Sequence, residues 1–257
     1  MTSLDGKHRL GLVCEAIDKL IAAAEPYGGL FPSLLDRANG EMLAELPPAI
    51  AGQRDWDRAH PGSNLMHDQV TLKTMYALAD ALDRPRYAVA ADRYLERFAT
   101  HCTETATGLF PWGEHSFWNL ADDRVGSSFE ISHRYKTIPG ATHDHLRQAP
   151  LWLWEKLWQF NPRCVERFAE GLDFHWQQGR HDEYIRHANI VERRHPEPAT
   201  SRSCDFPRHS GFYLFDWTVA WVKSRRDEFR NQIERMLDYL LSPTLSDSVI
   251  PELNEFN

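Results

Sequence analysis

The sequence predicts an all-α protein built from repeated helical hairpins, and three observations predict it. Apolar residues recur at helical spacing along most of the chain. A polar loop carrying histidine runs into a strongly apolar helix three times, at Met66-His67-Asp68, at His143-Asp144-His145 and at Pro207-Arg208-His209. The units also have matching lengths: 18 residues from His67 to Pro85, 19 from His143 to Pro162 and 18 from His209 to Asp227. Fixed internal spacing of this kind marks stacked supersecondary units.

Residues 9–24 place Leu10, Val13, Ile17, Leu20, Ile21 and Ala24 on one face of a leading helix, which Pro26 and Gly28-Gly29 end. An irregular stretch follows over 29–66. It holds Gly-Leu-Phe-Pro at 29–32 and Asp55-Trp56-Asp57-Arg58, and loops this long inside a compact domain are usually functional. Residues 68–82 form the first apolar helix. Beyond the turn Asp83-Arg84-Pro85, residues 86–99 carry the stripe Tyr87, Ala90, Tyr94, Leu95 and Phe98. A second irregular stretch covers 101–148, with Gly-Leu-Phe-Pro again at 108–111. The second apolar helix runs from 149 to 160, and its striped partner presents Val165, Phe168, Leu172 and Trp176. The polar stretch 179–208 leads to the third apolar helix at 211–223. Its partner at 227–241 shows Phe229, Ile233, Met236, Leu237 and Leu240. Helices that are apolar all round need cover on all sides, whereas striped ones can face water. An inner set wrapped by an outer set meets both demands.

At 257 residues there is ample chain for a sizeable core. A net charge of −8 excludes a general nucleic-acid surface and an anionic membrane partner. Nine Trp and 13 His suit a site that stacks rings and moves protons. The four cysteines are far apart with no CxxC pair, so free core thiols are expected. The first residues lack a secretory pattern and no run is long enough to span a membrane. A cytoplasmic location is therefore expected. No phosphate-binding loop, dinucleotide fingerprint or serine-hydrolase elbow is present.

The repeated hairpins resemble the (α/α) toroids, above all the six-hairpin glycosidase superfamily. Thr107-Gly108-Leu109-Phe110 followed by Trp112-Gly113, and Met66-His67-Asp68 opening an inner helix, are similar to phrases of its families that process unsaturated uronides. Three hairpins and a leading helix make about half of such a ring, so the expectation is a single toroid-type domain over 1–257, either a fragment of a longer ring or one that closes in a smaller way. The resemblance implies that the loops at the inner-helix N-termini surround a sugar-binding cleft. It also implies that an Asp placed like Asp68 transfers protons.

Read as chemistry, five residues are candidate catalytic groups. Asp68 sits where a helix dipole and free amides stabilise a carboxylate, as a cap or as an acid/base group. His143 and Asp144 belong to the densest titratable cluster of the chain, and His titrates near neutral pH. With no third ligand evident beside them, no metal or other cofactor is expected. Glu114, between Trp112 and Trp118, would have a raised pKa if the indoles desolvate it. His209 opens the third inner helix, four residues before Tyr213 and on the same face. Substrate contacts are expected from Asp57, His67, Trp112, His115, Trp118, His145, Arg208 and Tyr213, the indoles offering flat faces to sugar C–H groups. The expected function is cleavage of a glycosidic bond in an oligo- or polysaccharide, including uronate-containing glycans. Hydrolysis needs two carboxyl groups at a set separation, whereas elimination needs a base at C5 and a neutralised carboxylate. The alternatives are a sugar 2-epimerase of the same toroid class, recognised by two facing His, and a non-catalytic helical repeat that binds a protein or glycan.

Overall fold

The computed structural model describes residues 5–43, 45–53, 60–128, 141–144, 148–177, 184–195 and 207–241, the side chains of 207–209 excepted. Within them lie seven α-helices and two small antiparallel sheets, so the chain is mainly helical but not all-α. The expected leading helix and three hairpins are all present. The strands lie within the stretches expected to be irregular, where each is only two to four residues long and too short to show a clear alternation. The residues fall into two compact units, 1–104 with 111–141, and 105–110 with 142–257.

In the first unit, α1 (Gly6–Ala24) is capped by Asp5, whose carboxylate accepts from His8 N at 2.8 Å. It ends in a short turn, with Gly28 and Gly29 at φ 66° and 100°, backbone that favours glycine. Its buried residues are Cys14, Ile17 and Ala24, while Leu10 and Val13 stay exposed. Spacing gave the inward face correctly, but the covering surface ends before the first turns of the helix. The first hairpin is α2 (Leu65–Ala81) against α3 (Arg86–Arg97). Asn64 caps α2: its Oδ1 accepts from Met66 N at 3.2 Å, and its Nδ2 donates to Gly113 O at 2.8 Å. That ties the head of α2 to the loop before the sheet of β1 (Gly62–Ser63), β2 (Ser116–Asn119) and β3 (Arg124–Ser127), in that spatial order. Tyr87, Tyr94, Leu95 and Phe98 are buried, as the stripe of α3 predicts.

The second unit holds the hairpins α4 (Leu151–Phe160) with α5 (Pro162–Gly171), and α6 (Pro207–Ser224) with α7 (Asp227–Leu240). Pro162 occupies the first turn of α5, where its missing N–H costs nothing. Phe110, Trp154, Phe168 and Trp217 form the core, and the Trp217 indole donates to Ala169 O at 3.0 Å. A short helical turn, Leu172–His175, extends α5, and β4 (Thr142–Asp144) pairs antiparallel with β5 (His187–Asn189).

Full cover for the apolar helices is not what the structure shows. Val70, Leu151 and Val222 are 71, 51 and 46% exposed. These helices are apolar all round because short aliphatic residues also occupy their outer faces. Cys14, Cys102 and Cys164 are free and buried, as expected. No described helix is long and apolar enough to cross a membrane.

Candidate active site

The strongest concentration of chemistry in the second unit sits on the β4–β5 ribbon. Its register sets Asp144 directly opposite His187, and His143 opposite Ala188. Successive strand residues face opposite ways, so His143 and Asp144 part company although adjacent in sequence. Asp144 is buried and accepts from Arg186 through Nε at 3.1 Å and through Nη2 at 2.8 Å. His187 Nε2 stands 3.6 Å from Asp144 Oδ2. Burial alone would raise the pKa of Asp144. The polar His187 ring beside it and the hydrogen bonds and charge of Arg186 outweigh it and hold the carboxyl well below the usual carboxylate range. The Asp144 side chain is sealed, while Arg186 and His187 keep 38 and 31% of theirs exposed. The ribbon thus offers solvent a guanidinium and an imidazole braced on an inaccessible negative charge. Asp144 and His187 are also donor types that a divalent cation takes.

The other face of the ribbon is dry. His143 Nδ1 lies 2.7 Å from His175 Nε2, and His175 Nδ1 lies 2.8 Å from Ile185 O. Both rings are fully buried, with Phe168 edge-on to His143. Tyr184 stacks against His175, and its hydroxyl accepts from Tyr213 at 3.3 Å. Burial pushes the Tyr213 phenol well above its ordinary range.

In the first unit, Asp68 lies in the first turn of α2 and is half-buried. Its Oδ2 accepts from the Tyr94 hydroxyl at 2.7 Å and from Ser63 Oγ at 3.3 Å. Burial dominates these hydrogen bonds and pushes its pKa up to about 6. A carboxyl group in that range can take and return a proton near neutral pH.

The remaining expected residues divide. His67 is exposed. Glu114 is exposed as well, so the burial between indoles that its acid role required is absent; the turn that carries it directs it to solvent. Trp112 offers no open face, because it is 2% exposed and stacks on Phe98. Trp118 is buried too, its indole donating to Asp123 at 2.8 Å. His115 is buried with Nδ1 3.2 Å from Ser128 Oγ. Tyr213 is fully buried. Asp57 and His145, and the side chains of Arg208 and His209, lie outside the described residues.

Sequence reasoning missed Arg186, His187 and His175, and it read Tyr94 only as part of a stripe. The one available signal was the alternation in Ala188-Asn189-Ile190, in which Ala188 and Ile190 are buried. It is three residues long and lies in a stretch dominated by charge and proline.

The family model of the periplasmic pectate lyases matches residues 48–203, more than half of the chain. A comparison with curated proteins found no match. The matched family is a periplasmic one, which overturns the cytoplasmic location expected from the first residues. Their composition is a poor guide to where a protein works.

Proposed function

The chain belongs to the periplasmic pectate lyase family, and from that premise we propose that it cleaves a uronate-containing polysaccharide by β-elimination. In that reaction a base removes the proton at C5 and its electron pair forms the C4=C5 bond. The C4–O bond breaks, and the leaving oxygen takes up a proton. The carboxylate attached to C5 must be neutralised, because negative charge spreads onto it as the proton departs.

The observation that carries this reading is the accessible pair Arg186 and His187 braced on buried Asp144. Together they supply what elimination requires, positive charge for the uronate carboxylate and a proton acceptor for C5. Arg186 presents a planar fork suited to a carboxylate. Asp144, held ionised far below neutral pH by its partners, serves as the anchor and not as a proton donor. Hydrolysis draws no comparable support: it needs one carboxyl group that is protonated at working pH and a second at a set distance. Epimerisation needs a sugar carbon between two His. The facing pair His143 and His175 is in mutual hydrogen-bond contact and sealed from solvent.

Asp68, with its raised pKa, is proposed as an additional proton-transfer group of the first unit, and the three hairpins as repeats of an (α/α) toroid. Incubation with polygalacturonate tests the function. Ultraviolet absorbance from a new C4=C5 double bond, abolished in Arg186→Ala, is the expected result. New reducing ends without that absorbance would refute elimination.

A further inference from the structure

We propose that His175 is the positioning residue of this site: one buried imidazole holds Asp144 on β4 in register with His187 on β5 and with Arg186 just before it. The inference deepens the lyase reading and rests on it for its catalytic consequence, but not for its geometry.

His175 grips β4 and the segment that leads into β5. Its backbone oxygen accepts from Ile185 N at 2.7 Å, and its Nδ1 donates back to Ile185 O at 2.8 Å. Ile185 immediately precedes Arg186 and His187. At the other end of the ring, Nε2 meets His143 Nδ1 at 2.7 Å, and His143 immediately precedes Asp144. The proton positions follow from the partners. A carbonyl only accepts, so His175 carries its proton on Nδ1 and presents a lone pair at Nε2. His143 Nδ1 must then be the donor. Each neutral ring has one tautomer that satisfies the chain of bonds.

The ribbon needs such a device. It has three residue pairs, and a two-stranded ribbon is marginal by itself. A slip by one residue turns every side chain to the opposite face. Asp144 would lose Arg186 and His187 together. Tyr184 stacked on one side at 5.9 Å and Tyr213 at 5.5 Å confine the His175 ring. Rotamers locked by packing and hydrogen bonds are what hold reacting groups in place.

The test uses the whole protein labelled with 15N-histidine, with His175→Ala and His175→Gln beside it. Gln keeps an acceptor towards His143 and loses the donor to Ile185. In wild type, the ring signals should show the Nδ1–H form for both His143 and His175. In His175→Ala the His187 signals should move, and in His175→Gln they should move less. On polygalacturonate, kcat should fall about 10²-fold in His175→Ala with KM changed less than about threefold, because alignment and not substrate binding is lost. The double variant His175→Ala/Arg186→Ala should lose less than the product of the two single losses, because the two residues act as a unit. If His175→Ala fails to fold, His175→Gln gives the same readings. His187 signals that stay in place in a folded variant overturn the proposal whatever the activity. A wild-type protein that makes no unsaturated product while its His187 signals respond refutes the lyase reading and upholds the positioning role.

Discussion

Asp144 takes the Arg186 guanidinium through two of its nitrogens, and the carboxylate is fully buried while the guanidinium reaches solvent. The asymmetry decides what each side of the pair contributes. Removing Asp144 leaves Arg186 able to turn into water, whereas removing Arg186 strands a buried negative charge beside His187. Asp144→Ala is therefore expected to destabilise the protein by about 2–3 kcal/mol, below the usual range for a broken buried pair because Arg186 rehydrates. Asp144 has a depressed pKa in the fold. Its stabilisation is complete above the unfolded value of about 4 and is lost as the pH falls towards the folded one. Urea unfolding at pH 7 and at pH 3 should show wild type and Asp144→Ala converging at the lower pH. Curves that stay separated by the same amount would contradict the ion-pair assignment.

Arg186→Lys should not rescue Arg186→Ala. Lysine keeps the charge but has no planar fork, and so cannot hold Asp144 at two points and still face a uronate carboxylate. Both variants should lose at least about 10²-fold in kcat/KM for elimination, the scale of a lost charge-stabilising contact. Initial rates of ultraviolet absorbance on polygalacturonate check this. A Lys variant within a few-fold of wild type would show that charge alone suffices.

The helical half of this fold was legible because amphipathic helices write their burial into local spacing. Tyr87, Tyr94, Leu95 and Phe98 fall on one helical face and are all buried. The ribbon was not legible in the same way. Asp144 and His187 are 43 positions apart, and nothing local to either records that a strand pairing brings them together. His143 and Asp144 stood out as adjacent titratable residues, yet adjacency misleads on a strand, where neighbours face opposite ways. Indole-rich sequence misled at Glu114. Trp112 and Trp118 are both buried without covering it, because a turn residue between two core residues is free to point away.

Asp68 should leave a mark on stability with the opposite sign to Asp144. Its pKa is raised to about 6 by burial, so the folded protein binds this proton more tightly than the unfolded chain does. The stabilising contribution is complete below the unfolded value of about 4 and is lost as the pH rises to about 6. Asp68→Asn keeps an acceptor for the Tyr94 hydroxyl and has nothing to titrate. Thermal unfolding of this variant should vary less between pH 4 and pH 7 than that of wild type, with the gap in its favour at the higher pH. A variant that tracks wild type across the range would rule out Asp68 as the titrating group. If Asp68 also transfers protons, a limb near pH 6 in the rate profile should vanish in the same variant.

Gly108 gives a prediction that binds the loop to the ribbon. Its φ is 84°, and a Cβ there would lie 2.2 Å from the backbone oxygen of Arg167. The loop is held from several sides. Gly108 N donates to Thr105 Oγ1 at 3.1 Å, and Thr107 donates to Ile190 O through its hydroxyl at 3.1 Å. Ile190 follows β5 directly, so this loop braces the strand that bears His187. An alanine at 108 meets left-handed backbone, worth about 1–2 kcal/mol, and an overlap with main chain that only a shift can relieve, worth about 1–3 kcal/mol. Gly108→Ala should therefore cost about 2–5 kcal/mol in urea unfolding, and should lower activity through displacement of β5. Gly11 is the control. It lies within α1 with no heavy atom inside 4 Å of an added Cβ. Gly11→Ala should stabilise by about 0.5–1 kcal/mol through helix propensity alone. Equal effects at the two positions would show that the close approach at Gly108 does not exist in solution.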